Sequence, residues 1–146
     1  MKIIYYDSTG RYLAVIAAAI HLNQLDNNVP EWEELKELIY FDVEEKIKPG
    51  KIIFIDRDQL GNDIYILGSD GVGTVIEKTI AGIKRIFNIE SRAVFIDLTE
   101  YENWSFKFGL MLKGFNSFLA NKLIYSNLVD SFLKIEQKVT EIKEAD

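Results

Sequence analysis

The stretch Met1–Gln24 constrains the fold of this chain more than any other. An apolar run, Ile3–Tyr6, ends at Asp7 and is followed by the small polar loop Ser8–Gly10. An alanine-rich run, Arg11–Leu22, comes next without a break. A short β-branched and aromatic run favours a strand, and a longer run without a polar face favours a buried helix. The order predicts the strand–loop–helix unit that opens an α/β domain, with its strand in the centre of the sheet.

Helical and strand patterns follow this unit in turn. Pro30 and the glutamates after it predict the start of a second helix. Pro49-Gly50 separates that helix from two strands, Lys51–Asp56 and Ile64–Leu67. The loop between the strands contains Gly61-Asn62, which is typical of a hairpin. One of the two strands must therefore run against the other, and we expect Ile64–Leu67 to be parallel to the first strand.

The second half of the chain predicts a helix, a strand and two long helices. The third helix and the last helix each carry an apolar stripe, and Ala93–Asp97 forms the last strand. The stripes are Ile76, Ile80, Ile83 and Phe87, and then Phe132, Ile135, Val139 and Ile142. We predict one α/β domain over residues 1–146. It is a three-layer sandwich, with a four-stranded mixed sheet and helices on both faces in a Rossmann-like or P-loop-like arrangement.

The charge and the lack of cysteine exclude several classes of function. The net charge is −6 and the basic residues are scattered, so neither nucleic acid nor an anionic membrane surface is an expected partner. No apolar run approaches the roughly 20 residues that span a bilayer. With no signal peptide visible, we expect a cytoplasmic protein. Without cysteine, thiol catalysis and cysteine metal sites are excluded.

Three apolar runs end in an aspartate, at Asp7, Asp56 and Asp97. An antiparallel Lys51–Asp56 strand would place Asp56 at the opposite edge of the sheet from the other two. Asp7 and Asp97 remain as candidate ligands for Mg²⁺, which prefers carboxylate oxygens. The alternative is that each aspartate caps the helix or turn that follows it.

Two loops are candidate anion sites. Gly68 to Gly73 has the spacing of a phosphate-binding loop, but Thr74 stands where that loop needs a lysine. Backbone amides at a helix start can still hold an anion. The candidate residues in the two loops are Ser8, Thr9, Gly10, Arg11, Gly71, Gly73 and Thr74. The alternative is that the glycines only permit sharp turns and that Ser8 or Thr9 caps the first helix.

His21 is the only histidine and lies well inside an apolar helix. We interpret it as structural, so a catalytic triad that needs histidine has no plausible base. No cofactor is predicted.

A helix over Trp104–Tyr125 has two apolar sides. One side carries Trp104, Phe108, Met111, Phe115, Phe118 and Leu119 and is expected to face the sheet. Phe106, Leu110 and Ile124 lie on the other side and form a candidate interface with a partner protein or a second copy of the chain. The alternative is that the final helix covers this second side.

Several stretches together resemble a family of uncharacterised bacterial proteins, found mainly in spore-forming Gram-positive bacteria and known only as a domain of unknown function. The resemblance implies a small α/β fold and supplies no established activity. The stretches are Lys2–Tyr6, Ala17–Leu22, Tyr40–Asp42, Gly61–Gly68 and, more loosely, Asn103-Trp104 with Gly109.

The first loop departs from the pattern of that family. Its members usually have a cysteine where this chain has Asp7, followed by a glycine pair and a His-Ser-Ser run. Here those positions read Thr9-Gly10 and Tyr12–Ala14. The motif is degenerate, which implies that any chemistry of this loop has been lost or replaced.

The sequence therefore favours a non-catalytic α/β protein that acts as a protein-interaction or regulatory subunit. A weak anion or phosphate site at the first strand–helix loop is compatible with that role. The alternative is a Mg²⁺-dependent enzyme that handles phosphates or nucleotides and uses Asp7 and Asp97.

Overall fold

The computed structural model describes residues 1–45 and 48–145. These residues form four strands and five helices, with a single 3₁₀ turn at Thr99–Tyr101. In order, they are β1 (Lys2–Asp7), α1 (Leu13–His21), α2 (Trp32–Lys36), β2 (Ile52–Arg57), β3 (Asp63–Gly68), α3 (Gly73–Ile86), β4 (Ala93–Asp97), α4 (Trp104–Leu112) and α5 (Ser117–Glu144).

The sheet has the order β2-β3-β1-β4, so the first strand lies between two neighbours. β1 is parallel to β3 and to β4, whereas β2 is antiparallel to β3. The register pairs Asp7 with Gly68 and Tyr6 with Asp97, so these residues share one edge of the sheet. Asp56 lies towards the opposite edge, beside the start of β3. The predicted four-stranded mixed sheet and the directions of its strands are confirmed.

Helices cover both faces of the sheet. Because side chains alternate along a strand, Ile3 and Tyr5 pack into the larger core with α1 and α5. Ile4 and Tyr6 point to the other face, where Ile76 of α3 packs against them. The sheet with helices on both faces is the α/β architecture that the sequence predicted; a specifically Rossmann-like or P-loop-like arrangement stays a prediction.

The final helix packs as its sequence predicts. Phe132, Ile135 and Val139 are buried in the larger core, and Ile142 packs against it. α5 is long but only one side of it is apolar. Among the described residues, no helix combines the length and the hydropathy that crossing a membrane requires.

Two helices on the periphery bury less than their patterns suggest. α2 ends at Lys36, so Leu35 is buried while Ile39 is exposed. α3 contacts the sheet through Ile76, but Phe87 lies beyond the end of the helix and is exposed. The apolar stripe of α3 therefore packs mainly at the start of the helix.

The predicted helix over Trp104–Tyr125 is broken, and the expected roles of its two apolar sides are reversed. α4 ends at Leu112, and Asn116 caps the start of α5 by accepting the Leu119 amide. The break lets α5 lie alongside α4, where a Cβ on Gly109 would come within 3.0 Å of the Ala120 carbonyl oxygen. The two apolar sides therefore do not continue along a single helix.

Phe106 and Ile124 are fully buried in the core between these helices, and Leu110 packs against that core. The candidate interface Phe106, Leu110 and Ile124 was therefore wrong, and these residues hold α4 and α5 to the domain. The opposite side of the predicted helix, which was expected to face the sheet, faces solvent instead.

Candidate functional site

The loops that follow β1, β3 and β4 meet at the carboxyl edge of the sheet. The Ser69 amide donates to the Asp7 carbonyl, and the Leu98 amide donates to the Tyr6 carbonyl, both at 2.9 Å. Helix α1 follows β1 on one face and α3 follows β3 on the other. Adjacent parallel strands whose helices go to opposite faces leave a crevice, and open α/β sheets bind ligands there.

The first two loops pack against each other backbone to backbone. A Cβ on Gly68 would lie 2.7 Å from the Thr9 carbonyl oxygen, and a Cβ on Gly10 would lie 2.8 Å from the Gly68 nitrogen. Gly10 also has a φ of +73°, which favours glycine. These two glycines are explained by the contact between the loops.

Asp7 occupies the start of the first helix. Its side chain is fully buried, and one carboxylate oxygen accepts the Thr9 and Gly10 amides. The other oxygen accepts the Ala14 amide at 3.1 Å. Burial raises the pKa of Asp7, and these backbone donors act in the opposite direction. The carboxylate fills the position at the amino end of α1 where an external anion would otherwise bind.

The other amides of the first loop also have acceptors within the chain. The Ser8 amide donates to Glu102 Oε1 at 2.8 Å, and the Arg11 amide donates to Thr9 Oγ1 at 3.2 Å. The Arg11 guanidinium donates to the Val43 carbonyl. An anion at Thr9, Gly10 and Arg11 would have to displace these partners.

Glu102 is one of the residues at this edge that sequence reasoning missed. The 3₁₀ turn after β4 brings its carboxylate to the Ser8 amide. Burial and, next, the charge of Asp7 raise the pKa of Glu102 to about 7. Its position five residues after Asp97, at the carboxyl end of a parallel strand, was the available signal.

A cavity of about 340 Å³ opens at this edge, between the start of α3 and the turn after β4. It brings together one part of the predicted residues, namely Ser8, Gly71, Gly73, Thr74 and Asp97. The other lining residues were not among the predicted site residues, although Ser69 and Thr99 belong to stretches that were expected at this edge. They are Tyr6, Ser69, Thr99, Glu102 and Lys107. Asp7, Thr9, Gly10 and Arg11 do not line it.

The predicted metal ligands lie in different surroundings. Asp97 Oδ1 accepts the Thr99 amide at 2.8 Å and the Thr99 hydroxyl at 2.5 Å. Asp7 directs both oxygens to backbone amides. Within the part of the chain that the structure describes, no group of three His, Cys, Asp or Glu residues could hold a metal ion. Mg²⁺ binding by Asp7 and Asp97 stays a prediction.

His21 lies far from this edge, at the end of α1. Its ring contacts the Tyr5 hydroxyl through Nδ1 at 2.8 Å and Asp58 Oδ2 through Nε2 at 3.0 Å. Asp58 also accepts the Leu60 and Asn62 amides of the hairpin loop. Burial opposes ionisation of Asp58, but hydrogen bonds from Asn62 and His21 lower its pKa to about 2. The buried ring ties α1 to the β2–β3 hairpin, which fits a structural role.

No curated protein and no solved structure matches this chain. A sequence model of the family described as "Protein of unknown function (DUF3189)" matches residues 2–144. The match confirms the resemblance to an uncharacterised domain family. Because it spans nearly the whole sequence, the chain belongs to the DUF3189 family.

Proposed function

We propose that this chain is a non-catalytic interaction or regulatory subunit, and that it binds another protein through an apolar surface on α4 and the start of α5. The observation that carries the proposal is the exposure of large apolar side chains there. Trp104, Met111 and Phe115 are 74%, 71% and 90% exposed. Trp104, Phe108 and Met111 recur at spacings of four and three, so they share one side of α4. Phe118 and Leu119 extend this apolar surface onto α5.

The charges around the apolar surface indicate the chemistry of the partner. Residues 104–122 contain Lys107, Lys113 and Lys122 and no acidic residue, in a chain with a net charge of −6. Lys113 already pairs with Asp42 at 2.5 Å, which leaves Lys107 and Lys122 as the main positive charges for a partner. The Lys122 ammonium lies 4.5 Å from the centre of the Phe118 ring. Aromatic residues and methionine are enriched in protein interfaces, and opposite charges at the rim steer association. The fitting partner is a protein segment with large apolar side chains flanked by acidic residues.

The test compares two surface variants with a control. Met111→Asp and Phe115→Asp place a carboxylate on the apolar surface, while Leu60→Asp changes a 70% exposed residue on the hairpin loop. All three should keep the stability of the wild type to within about 0.5 kcal/mol, because the residues are exposed. Proteins cross-linked to the wild type in cells should be lost from both surface variants and retained by Leu60→Asp.

Two further measurements decide between partners. Added salt should weaken the cross-linked complex, because the attraction between the lysines and an acidic partner is screened. Equal recovery of the same proteins with Phe115→Asp and with the wild type would refute the proposal. The wild type should also sediment as a monomer at micromolar concentration. A dimer that both surface substitutions dissociate would instead identify a second copy of the chain as the partner.

The second candidate is a Mg²⁺-dependent enzyme for phosphates or nucleotides that uses Asp7 and Asp97. In its favour, Asp97 lines the cavity at the edge where α/β sheets bind ligands. Nucleotide with Mg²⁺ should then raise the melting temperature by mass action, and Asp97→Asn should abolish the rise. An unchanged melting temperature at millimolar nucleotide and Mg²⁺ would eliminate this candidate.

A further inference from the structure

We propose that the cavity at the carboxyl edge binds the phosphate group of a small hydroxylated molecule, held between the start of α3 and Ser69. This site lies at the second of the two candidate anion loops, with Gly71, Gly73 and Thr74, and differs from the first strand–helix loop. It shares only Lys107 with the surroundings of the apolar surface on α4 and α5, and its tests use Ser69 and the start of α3, so either proposal can fail without the other.

The start of α3 supplies donors for an anion. α3 has 14 residues, and its N-cap residue, Val72, provides no side-chain acceptor. The first amides of a helix have no partner within the helix, and the helix dipole adds positive potential at this end. Gly73 and Thr74 from this first turn line the cavity. At α1, by contrast, the Asp7 carboxylate already accepts the corresponding donors.

Ser69 provides an independent observation that points to a ligand. Its side chain is 1% exposed, and its hydroxyl has no hydrogen-bond partner among the described residues. Ser69 lines the same cavity as the first turn of α3. Buried polar atoms nearly always have a partner, so an unsatisfied hydroxyl on a residue that lines a cavity points to a ligand atom that completes it. A phosphate oxygen is a strong acceptor for that hydroxyl and for the amides of α3.

The glycines of this loop fit an open site. A Cβ on Gly71 would meet no atom within 4 Å, although its φ of +80° favours glycine. A Cβ on Gly73 would lie 2.4 Å from the Tyr6 ring, so glycine lets that ring pack beneath the start of α3. Tyr6 is held there by its hydrogen bond to Glu77 at 2.7 Å.

The far side of the cavity limits the kind of ligand. Lys107 adds a positive charge, but Asp97 and Glu102 add two carboxyl groups. These groups disfavour a highly charged polyphosphate, and they can accept hydrogen bonds from ligand hydroxyls. A volume of about 340 Å³ suits a small ligand. A single phosphate on a hydroxylated carbon skeleton satisfies both sides of the cavity.

The experiment is an amide NMR titration of the full chain with ribose 5-phosphate, inorganic phosphate and ribose. Ribose 5-phosphate should shift the amides of Ser69, Gly71, Gly73 and Thr74 in a saturable way. Inorganic phosphate should shift the same amides at higher concentration, and ribose at equal concentration should not. The proposal is overturned if neither phosphate compound gives saturable shifts at millimolar concentration. Shifts confined to Thr9–Arg11 would also overturn it, because they would place the anion at the first loop.

Ser69→Ala is the decisive variant, with Ser126→Ala on the exposed side of α5 as its control. Ser69→Ala should weaken binding of ribose 5-phosphate by about tenfold or more, since the lost hydrogen bond is to a charged group. Ser126→Ala should bind as the wild type does. An unchanged melting temperature of Ser69→Ala confirms that the fold is intact. Equal affinity of Ser69→Ala and the wild type would refute the site.

Discussion

The first and second loops at the carboxyl edge begin at paired positions of neighbouring strands, yet their polar groups are used in opposite ways. The register places Asp7 opposite Gly68. The loop after β1 closes on the Asp7 carboxylate, which accepts three backbone amides. The loop after β3 has no side chain at Gly68 and leaves the Ser69 hydroxyl without a partner among the described residues.

The comparison shows how one topology produces two different helix starts. Both α1 and α3 begin at the edge where an α/β sheet offers backbone amides and positive potential. The chain supplies its own anion at α1, so that end serves stability. Within the described part of the chain, the N-cap residue Val72 supplies no side-chain acceptor at the start of α3, which is where we propose that a ligand binds. The residue that ends the preceding strand, Asp7 before α1 and Gly68 before α3, therefore decides whether the protein itself supplies the acceptor.

The largest expected effect comes from removing the Asp7 carboxylate, around which the loop after β1 closes; we call this loop the closed loop and the loop after β3 the open loop. Asp7→Ala would leave the Thr9, Gly10 and Ala14 amides without their acceptor at a buried position. Each such loss costs about 1–3 kcal/mol, so we expect the free energy of unfolding to fall by about 3 kcal/mol or more. Urea denaturation measures this change. Asp7→Asn, which keeps one acceptor oxygen, should lose less; a loss below about 1 kcal/mol for Asp7→Ala would remove the basis of the comparison.

The next effect tests the contact between the two loops. Gly68→Ala would force a Cβ to 2.7 Å from the Thr9 carbonyl oxygen, where backbone must shift. We expect a loss of about 2–3 kcal/mol, the upper part of the range for overpacking. Gly71→Ala is the matched control in the open loop, because its Cβ meets open space and only the positive φ opposes it. That control should cost about 1 kcal/mol. Equal losses for the two variants would contradict the close packing of the loops.

The strand order and the shared edge could be predicted from the sequence, because they follow from apolar periodicity and the connection rules of parallel strands. The break between α4 and α5 could not be predicted from the sequence. The apolar residues before the break and those after it fit the same helical period. The buried role of Phe106 depends on α5 lying alongside α4 through Gly109. Such tertiary contacts leave no trace in local periodicity.

The candidate site was predictable only in part, for a similar reason. Asp7 and Thr74 could be placed at the edge because they follow strands or begin helices. That Asp7 accepts the amides of the first loop could not be predicted. An aspartate that caps a helix and an aspartate that binds a ligand stand at the same place in the sequence pattern, at the end of a strand. Ser69 and Glu102 belong to the site through the packing of the loops, which spacing alone does not reveal.

A smaller effect concerns pH and the carboxyl group that links the closed loop to the cavity. The pKa of Glu102 is raised to about 7 by burial and by Asp7, from its usual value of 4.5. Between these values the folded chain holds a proton that the unfolded chain releases, so stability should decrease as pH rises through this window. The slope for one proton is at most about 1.4 kcal/mol per pH unit. The charged groups near Glu102 are Asp7 and Lys107, which act on its pKa, and Asp97, which lines the same cavity.

Glu102→Gln should flatten this pH dependence, because the amide oxygen still accepts the Ser8 amide and carries no charge. At pH 8 the variant should be more stable than the wild type by about 1–2 kcal/mol. Glu100→Gln changes an exposed carboxylate of the same turn and should leave the wild-type slope unchanged. Burial also raises the pKa of Asp7, so Asp7 contributes to the pH dependence of both proteins. The measurement is therefore the difference between the stability–pH curves of the wild type and Glu102→Gln. Parallel curves for the wild type and Glu102→Gln would exclude a proton held by Glu102.

The smallest expected effect is the change in stability caused by Ser69→Ala in the open loop. Ser69→Ala removes a buried hydroxyl that makes no hydrogen bond within the described part of the chain, so the free energy of unfolding without ligand should change by at most about 0.5 kcal/mol. Ser131 is the matched control, since its buried hydroxyl donates to the Tyr101 carbonyl and accepts from Asn127, both at 3.1 Å. Ser131→Ala should cost about 1–2 kcal/mol, because it removes two buried hydrogen bonds, although Asn127 Nδ2 still donates to the Tyr101 carbonyl at 2.9 Å. If Ser69→Ala is as destabilising as Ser131→Ala in urea denaturation, the Ser69 hydroxyl is already satisfied by the protein. The second loop would then be closed like the first, and the difference between them would disappear.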